Sequence, residues 1–346
     1  MKYFAIRVCP AVAVCLLALP AMAQTCLGDL NADRTVTGAD LGILLGQWGQ
    51  AGSGDLNGDG IVGGADLGLL LGVWGACPVT VPSWATLVEA QPNPTVVTNI
   101  TLRAAISASG LAWRVRDTAT QMEMLLIPEG TFVMGCTASN QNACVGHENP
   151  THSVTLTQAF YMGRYEVTQG QWLAKMGSNP SSFDDQSDSA IRPVEGMSWN
   201  NIQNYLSATG MRLPSEAEWE YACRAGTTTA FHNGSSDDNT VGSIAWYAEN
   251  SSNQTHAVGG KAANALGLHD MVGNVMEYVN DWYGSTYYSV SPSTNPLGPV
   301  SGTYRVLRGG TYNFGAPFFR SSYRNYFLLP NNQGSSQVGF RTARAP

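Results

Sequence analysis

The sequence predicts a loop-rich α+β domain preceded by a small all-α module. A loop-and-helix unit, Gly28 to Gly49, recurs 26 residues later as Gly54 to Gly75. Beyond residue 100, short apolar segments alternate with long stretches rich in glycine, asparagine and serine, and helical signals are few. Charged residues make up only 12% of the chain, about half the usual share, which is typical of packed irregular segments.

The N-terminus carries the features of an export signal. Lys2 and Arg7 flank the start of an apolar stretch, Ala11 to Leu19, and Ala21-Met22-Ala23 forms a small-residue cleavage site. We therefore expect residues 1–23 to be a signal peptide cleaved near Ala23, and the mature protein to be secreted, extracellular or periplasmic. No segment approaches the roughly 20 apolar residues that span a bilayer.

The charge of the mature chain excludes some classes of partner. Removal of the signal peptide leaves 16 basic residues against 25 acidic ones, a formal net charge near −9. An acidic chain of this kind argues against binding to nucleic acid and to anionic membranes.

The repeat predicts two calcium loops. Calcium takes six to eight hard oxygen ligands, which such a loop supplies from side chains at positions 1, 3, 5 and 12 and a backbone carbonyl at position 7. The alternative is a glycine- and aspartate-rich turn beside an ordinary helix, but two registered copies favour calcium. The predicted ligands are Asp29, Asn31, Asp33, Thr35 and Asp40 in the first loop, and Asp55, Asn57, Asp59, Ile61 and Asp66 in the second.

An amphipathic helix is predicted after each loop. Its apolar residues recur at i, i+3, i+4 and i+7: Leu41, Leu44, Leu45 and Trp48, then Leu67, Leu70, Leu71 and Trp74. This segment, residues 26–77, resembles a dockerin, a paired calcium-loop module whose partner is a cohesin. Two departures are Arg34, which replaces the turn glycine at position 6, and the small residues Gly38-Ala39 and Gly64-Ala65 where dockerins usually present partner-selecting side chains. A cohesin-like partner for residues 26–77 follows from the resemblance alone.

Five cysteines remain after the signal peptide. Cys26 and Cys77 bracket the repeats and can join their ends, and Cys136 and Cys144 are spaced to close a surface loop. Both pairings fit an oxidising compartment, although sequence does not fix connectivity. Cys223 is the odd cysteine.

Residues 78–100 are predicted to be an extended linker, because they are rich in proline and lack helical periodicity. Residues 101–346 are predicted to form one domain. Its expected strands include Leu111 to Val115, Met124 to Ile127 and Thr131 to Met134, and its expected helices begin at the N-capping residues Thr168, Ser198 and Ser215.

Seven sequence blocks in this domain carry a resemblance. They are MLLIPEGTFVMG (Met124 to Gly135), FYMGRYEVTQGQW (Phe160 to Trp172), RPVEGMSW (Arg192 to Trp199), RLPSEAEWEYACRAG (Arg212 to Gly226), NALGLHDMVGNVMEYVNDWY (Asn264 to Tyr283), RVLRGGTY (Arg305 to Tyr312) and VGFRTAR (Val338 to Arg344). Their order and content resemble the sulfatase-modifying factor family, whose founder is the formylglycine-generating enzyme. The resemblance implies a mixed α/β fold with little regular secondary structure, related to C-type lectins.

The resemblance also defines the chemistry to look for. The founding enzyme oxidises a cysteine of a sulfatase with oxygen and copper(I) held by two cysteine thiolates, soft ligands suited to a soft ion. In the matching stretch this chain has Phe314, Phe318 and Phe319, and residues 277–346 contain no cysteine, histidine or methionine. Copper is therefore not expected, and no catalytic residue is predicted. A second enzymatic branch of the family uses histidine-held iron in a separate helical domain, and the five dispersed histidines here do not suggest such a site.

A structural calcium of the family does transfer to this sequence. The matching ligands in DMVGNVMEY are the side chains of Asp270 and Glu277 and the carbonyl groups of Gly273 and Val275. The alternative makes Asp270 and Glu277 ordinary turn and surface residues. Some family members bridge the cysteine that corresponds to Cys223 to one that Thr342 replaces here, so Cys223 is expected to be a buried, unreactive thiol.

Two functions compete at this level. One is a secreted, non-catalytic binding or structural module with a peptide or glycan ligand, attached through the calcium-loop repeat. The other is a sulfatase activator of the formylglycine-generating oxidase type that uses other ligands. The missing soft ligands favour the first.

Overall fold

The computed structural model describes residues 26–31, 33–137, 144–327, 330–331 and 334–346. The predicted signal peptide, residues 1–23, lies outside this described part. The helices are α1 (Gly38–Gly46), α2 (Gly64–Gly72), α3 (Ile100–Ala108), α4 (Gln169–Met176), α5 (Trp199–Thr209) and α6 (Glu216–Arg224). The strands are β1 (Thr35–Val36), β2 (Gly75–Ala76), β3 (Ala85–Glu89), β4 (Arg114–Asp117), β5 (Glu123–Ile127), β6 (Gly130–Met134), β7 (His152–Leu156), β8 (Phe160–Gly163), β9 (Met276–Trp282), β10 (Arg305–Arg308), β11 (Arg324–Asn325), β12 (Val338–Phe340) and β13 (Ala343–Arg344).

The N-terminal unit is built from the two repeats. The helices α1 and α2 pack around a core of four side chains that are 0% exposed, Val36, Leu44, Val62 and Leu70. The strands β1 and β2 pair at Thr35 with Ala76, and a disulfide joins Cys26 to Cys77 as expected. The unit is therefore mainly helical, with one short strand pair that closes the repeats onto each other.

The predicted apolar face of these helices is buried only in part, since Leu45 and Leu71, which belong to it, are 50% and 52% exposed. Leu44 and Leu70 are buried, but the helices stop at Gly46 and Gly72, before the two tryptophans. Trp48 and Trp74 are therefore 46% and 50% exposed. Glycine favours the end of a helix because it gains most backbone freedom when it leaves the helix.

The expectation of a free linker over residues 78–100 is wrong. Residues 85–89 form β3, the edge strand of a five-stranded sheet, where Ala85 pairs with Asp117 and Leu87 with Val115. Val97 is fully buried, and Trp84 packs edge-on against Tyr161 with ring centroids 5.4 Å apart. The side chains of this short edge strand are all half-buried or exposed, and they show no helical periodicity, so the sequence is easily taken for a linker.

Two main sheets form the body of the large domain. The five-stranded sheet has the order β13-β8-β5-β4-β3, and the four-stranded sheet has the order β11-β10-β9-β12. The β9–β12 pair is parallel and joins segments more than 60 residues apart, with Glu277 opposite Gly339. A separate antiparallel pair, β6 and β7, completes the strands of the described residues.

The predicted strands and helices agree closely with these elements. The first predicted strand, Leu111 to Val115, is displaced to Arg114–Asp117, while α4, α5 and α6 begin after Thr168, Ser198 and Ser215. Each of these three residues accepts a backbone N–H two or three residues into its helix, which satisfies a donor that the helix leaves unpaired. The helix α3 is an addition that sequence analysis did not predict. Among the described residues, no helix has the length and apolar character needed to cross a membrane.

Candidate functional site

The predicted ligands of the first loop converge on one turn. Asp29 accepts the backbone N–H groups of Asp33 and Arg34 at 3.0 and 2.9 Å. The side-chain amide of Asn31 donates to Asp33 Oδ2 at 2.8 Å, and the N–H of Thr35 donates to Asp33 Oδ1 at 2.9 Å. Hydrogen bonds thus hold the side chains at positions 1, 3 and 5 close together in one turn.

The second loop repeats this arrangement bond for bond. Asp55 accepts the N–H groups of Asp59 and Gly60 at 3.1 and 2.8 Å, Asn57 donates to Asp59 Oδ2 at 2.8 Å, and Ile61 donates to Asp59 Oδ1 at 3.0 Å. The Ile61 side chain is 58% exposed, as expected for a position that supplies only its carbonyl group.

The aspartates at position 12 are fully buried and tie each loop to its helix. Asp40 accepts the N–H groups of Leu30, Asn31 and Thr37, and Asp66 accepts those of Leu56, Asn57 and Gly63. Burial acts to raise the pKa of Asp40. The backbone hydrogen bonds, of which the one from Thr37 is the largest, outweigh this effect, so the pKa is lowered. The bond from Gly63 is the main cause of the lowered pKa of Asp66. Both side chains are therefore held as carboxylates.

The residue at position 6 has a left-handed backbone in both loops. Gly60 has a φ of 95° and Arg34 a φ of 67°, so the replacement of glycine by arginine keeps the turn at the cost of some strain. Arg34 also donates to the carbonyl of Pro78 at 3.0 Å, which ties the first loop to the end of the module.

The donor set of both loops fits calcium: several hard oxygens per turn, with like charges that a divalent cation would neutralise. Another cluster near the first loop does not fit a metal. Cys26, Asp29 and Cys77 lie together, but the two sulfur atoms are joined in the disulfide and are not thiolates.

The third predicted calcium site, separate from the two loops, lies in a buried cluster of three carboxyl groups. Glu277 accepts Nε and Nη2 of Arg341 at 2.6–2.8 Å and Nε1 of Trp219 at 2.7 Å. Asp270 Oδ2 accepts the N–H of Gly259 at 2.6 Å, whereas Asp270 Oδ1 is buried and has no hydrogen-bond partner among the described residues. The structure therefore brings Asp270 and Glu277 into the same interior region, as the sequence predicts.

Glu166 is the third member of this cluster. Its two oxygens accept the side-chain amide of Asn274 at 2.8 Å and the N–H of Val275 at 3.2 Å. Burial, followed by the charges of Asp270 and Glu277, raises the pKa of Glu166 well above its usual range, and burial raises the pKa of Asp270 to about 6. Three carboxyl groups lie near one guanidinium, and the raised pKa values of Glu166 and Asp270 show that their full ionisation is unfavourable in the absence of a further cation.

The backbone around this cluster fits a tight ligand loop. Gly273 has a φ of +84°, and a Cβ atom there would lie 2.6 Å from the carbonyl oxygen of Trp246, so only glycine is accommodated. Asp270 Oδ1 is available to a cation, but both Glu277 oxygens are occupied by Arg341. Among the predicted side-chain ligands, only Asp270 Oδ1 is thus unpaired within the described residues, and Glu277 would join it at a cation only by giving up contacts to Arg341.

Glu166 and Arg341 were missed by sequence analysis. Each is a charged residue with apolar or aromatic neighbours in the chain, Tyr165 and Val167 beside Glu166 and Phe340 beside Arg341, and Glu166 is 1% and Arg341 0% exposed. A charge embedded in a buried segment requires a partner of opposite sign, and that is the signal that could have found them. Their partner residues were not deducible because they lie 64 or more positions away.

An aromatic surface occupies the stretch after β10. The rings of Phe314 and Phe318 are 5.0 Å apart, and those of Phe318 and Tyr323 are 5.3 Å apart. Phe318 is 40% exposed, whereas Phe319 is fully buried and packs against Tyr247. Apolar aromatic contacts thus fill the segment in which soft metal ligands were sought.

This surface continues across the four-stranded sheet. The ring of Tyr326 stacks on Tyr283 at 3.7 Å, and the guanidinium of Arg305 lies between Trp199 and Trp282, 3.8 and 3.6 Å from their ring centroids. Trp199 Nε1 and Arg305 Nε are buried and have no hydrogen-bond partner in the described part of the chain. We call the following set the aromatic face: Trp199, Trp282, Tyr283, Tyr304, Phe314, Phe318, Tyr323 and Tyr326.

Comparison with protein-family models gives a decisive match. The model described as "Sulfatase-modifying factor enzyme 1-like domain" matches residues 111–346, more than half of the chain. The chain belongs to the sulfatase-modifying factor family. The predicted family is thereby confirmed for the large domain, and the mixed helix and sheet content agrees with its fold.

Two relatives and one solved structure illustrate the range of sulfatase-modifying factor proteins. The chain is 33% identical over 283 residues to the formylglycine-generating enzyme of Mus musculus, covering 64% of this chain and 74% of the enzyme. It is 32% identical over 249 residues to the serine/threonine-protein kinase pkn1 of Chlamydia caviae, covering 64% of this chain but only 38% of the kinase. Treponema denticola variable protein 1 superposes with a TM-score of 0.58 at 28% identity, covering 65% of this chain and 95% of that protein.

Two arginines next to the aromatic face are not available to a ligand. Arg320 pairs with Glu148 and Arg324 with Glu216, and both arginines are at most 3% exposed. Tyr323, which lies between them in the chain, is half-buried on the aromatic face. The aromatic side chains therefore form the exposed surface, and the two arginines lie buried in ion pairs.

Proposed function

We propose that this protein is a secreted, non-catalytic binding module of the sulfatase-modifying factor fold. The observation that carries the proposal is the aromatic packing of Phe314, Phe318 and Tyr323 where the family's oxidase holds its copper thiolates. Copper(I) requires soft ligands, and residues 277–346 supply no cysteine, histidine or methionine.

The remaining free cysteine of the described chain does not offer a substitute. Cys223 is fully buried in α6, and burial raises the pKa of its thiol to about 12. A thiol with such a pKa is protonated at neutral pH, and its burial keeps it from solvent, so it is a poor nucleophile.

The aromatic face is the proposed ligand surface. Exposed rings bury large apolar area at low conformational cost, and the unpaired donors Trp199 Nε1 and Arg305 Nε lie within the same surface. Rings flanked by hydrogen-bond donors suit a peptide or a glycan, since both present apolar faces together with oxygen acceptors.

The calcium-loop module, residues 26–77, is proposed to attach the protein to a cohesin-like partner. Its helices expose equivalent apolar side chains in the two repeats, Leu45 at 50% and Leu71 at 52%, each accompanied by an exposed tryptophan. Such matched patches on a small module are typical of docking surfaces. The two disulfides agree with an oxidising compartment and thus with secretion.

The lack of catalysis is tested with a cysteine-containing sulfatase peptide. The protein, loaded with copper(I) in the presence of oxygen, should leave the peptide mass unchanged, while the formylglycine-generating enzyme of Mus musculus serves as the positive control. Copper- and oxygen-dependent conversion of the peptide would establish the alternative, an oxidase-type sulfatase activator with different ligands.

Ligand binding is tested on peptide and glycan arrays with variants of the aromatic face. Tyr326→Ala and Phe318→Ala remove partly exposed rings and should each weaken binding about tenfold or more, as expected for aromatic anchors. Leu297→Ala removes a side chain that is 66% exposed outside the face and should have no effect. Equal binding by all three variants would exclude the aromatic face as the ligand surface.

A further inference from the structure

A cavity separate from the aromatic face lies between α3, β6 and α6. Its volume is about 500 Å³, within the range that accommodates a small molecule. The walls are largely apolar and come from Leu102 and Ala105 of α3, Phe132 and Val133 of β6, and Tyr221 of α6. None of its lining residues belongs to the aromatic face.

Two charged residues line this cavity, the exposed Glu129 and the buried Arg224. Arg224, at the end of α6, is 2% exposed, donates Nε to Glu220 at 2.9 Å and donates Nη2 to the carbonyl of Gly135 at 2.7 Å. Its Nη1 is buried and has no hydrogen-bond partner among the described residues. A buried guanidinium N–H without an acceptor costs free energy, so a ligand that supplies an acceptor gains that free energy on binding.

The neighbouring acceptors are already engaged. The carbonyl oxygens of Ala222 and Cys223 accept the side-chain amide of Asn264 at 2.7 and 3.1 Å, and that of Arg224 accepts the hydroxyl of Thr227 at 2.9 Å. Glu220 also pairs with Arg308, so one carboxylate serves two guanidinium groups. At this end of the cavity, Nη1 of Arg224 therefore remains a donor without an acceptor among the described residues.

We propose that this cavity binds a small monocarboxylate with an apolar alkyl or aromatic body. The carboxylate accepts Nη1 of Arg224, and the apolar body lies between Leu102, Phe132 and Tyr221. Glu129, the acidic residue at the rim, is exposed, so water screens its charge from the bound anion. A neutral ligand of the same shape would contact the same apolar walls but would not form the charge-assisted hydrogen bond to Arg224.

The segment before the family match builds one wall of the site. Leu102 and Ala105 belong to α3, which precedes residue 111, where the sulfatase-modifying factor match begins. The cavity is thus lined both by residues of the family domain and by residues of the segment that precedes it in this chain. The site is independent of the function proposed for the aromatic face.

A matched pair of variants tests the location of the site, with octanoate as the probe in calorimetric titrations of the full protein. Ala105→Trp fills the cavity from α3 and should weaken octanoate binding at least about tenfold. Ala104→Trp places the same side chain at the exposed neighbouring position of the helix and should change binding less than about twofold. Equal binding by both variants would overturn the proposal.

A matched pair of ligands tests the role of the charge. Octanamide should bind at least about tenfold more weakly than octanoate, because its neutral carbonyl group cannot form the charge-assisted pair with the Arg224 guanidinium. In Arg224→Gln this preference should disappear. If this variant does not fold, octanoate and octanamide still discriminate in the parent. No saturable binding of octanoate, or equal binding of the two ligands by the parent, would overturn the proposal.

Discussion

Buried glutamate–arginine pairs connect distant segments of the large domain at the level of single residues. Glu148 pairs with Arg320, Glu216 with Arg324, Glu220 with Arg308 and Glu277 with Arg341, and all eight side chains are at most 4% exposed. Removal of one partner from such a pair costs about 3–5 kcal/mol, because the other charge remains buried and uncompensated. These pairs hold loops in place where few backbone ladders do so.

The third calcium site is best tested at Asp270, because Asp270→Asn leaves the Glu277–Arg341 pair intact. In a fragment of residues 79–346, which lacks the calcium loops, calcium should raise the melting temperature of the parent. Asp270→Asn should abolish this rise. Without calcium the variant should melt at or above the parent, since the pKa of Asp270, raised to about 6, reports an unfavourable charge.

Glu277→Gln serves as the contrasting variant in the same calorimetric measurement. It breaks the contact to Arg341 and should lower the melting temperature with and without calcium, by about 3 kcal/mol or more in the free energy of unfolding. A full calcium response in Asp270→Asn would exclude an ion at this cluster.

Glu195 should make the stability of the domain depend on pH. Burial raises its pKa from 4.5 to about 7, so between these values the folded protein holds a proton that the unfolded chain releases. Its contribution to stability is fully present below about pH 4.5 and is lost as pH rises through 7. The shift corresponds to at most roughly 3 kcal/mol, at 1.36 kcal/mol per pKa unit.

Glu195→Gln tests this dependence in melting experiments across pH. The variant should melt above the parent at pH 8, and the difference should vanish near pH 4. Glu129→Gln changes an exposed carboxyl group and serves as the control. A difference between Glu195→Gln and the parent that does not vary with pH would contradict the assignment.

Secondary-structure elements of this protein are short and depend on their ends. The N-caps Thr168, Ser198 and Ser215 each form a reciprocal capping box with the residue three positions on, and α4 and α5 end at glycines with left-handed backbone. The calcium-loop helices have nine residues each, too few to be stable alone in water. Their stability must come from the loops, the four-residue core and the disulfide.

Calcium should therefore control the helices of the N-terminal module. In an isolated fragment of residues 26–77, circular dichroism should show a gain of helix on addition of calcium and a loss on chelation, because the clustered carboxylates repel until a cation binds. Asp33→Asn combined with Asp59→Asn should abolish this response. Replacement of Asp237 by asparagine in the full protein, outside the loops, should leave the calcium response unchanged. A spectrum that does not respond to calcium would contradict the calcium-loop assignment.

At the scale of the whole molecule, the described residues form two separate hydrophobic cores, one in the module and one in the large domain. The large core extends upstream of the family match, because Val97 and Ile106 are fully buried in it. The connection between the units is short: Cys77 belongs to the module, and the N–H of Thr80 already donates to Gly110 at 2.8 Å. The domain therefore begins near residue 79 rather than 101 or 111.

Two fragments test this boundary by differential scanning calorimetry. Residues 79–346 should keep the melting transition of the large domain in the full protein. Residues 111–346 lack β3 and α3 and with them the buried Val97, Leu102 and Ile106, whose loss should cost about 5 kcal/mol or more. The shorter fragment should melt far lower or aggregate through the exposed β4 edge. Equal melting of the two fragments would place the boundary at residue 111.

The sequence by itself determined the features that a few neighbouring residues encode. The repeated loops, the three capped helices, the strands β5 and β6, the two disulfides and the family of the large domain were all predicted, because capping, periodicity and motif order are local properties. Tertiary structure alone decided that Glu166 and Arg341 join Asp270 and Glu277, that residues 85–89 form a sheet edge, and that Arg224 lines a cavity behind α3. Each of these features depends on the packing of segments that are far apart in the chain. A sequence pattern over about ten residues does not show which distant segment will pack against it.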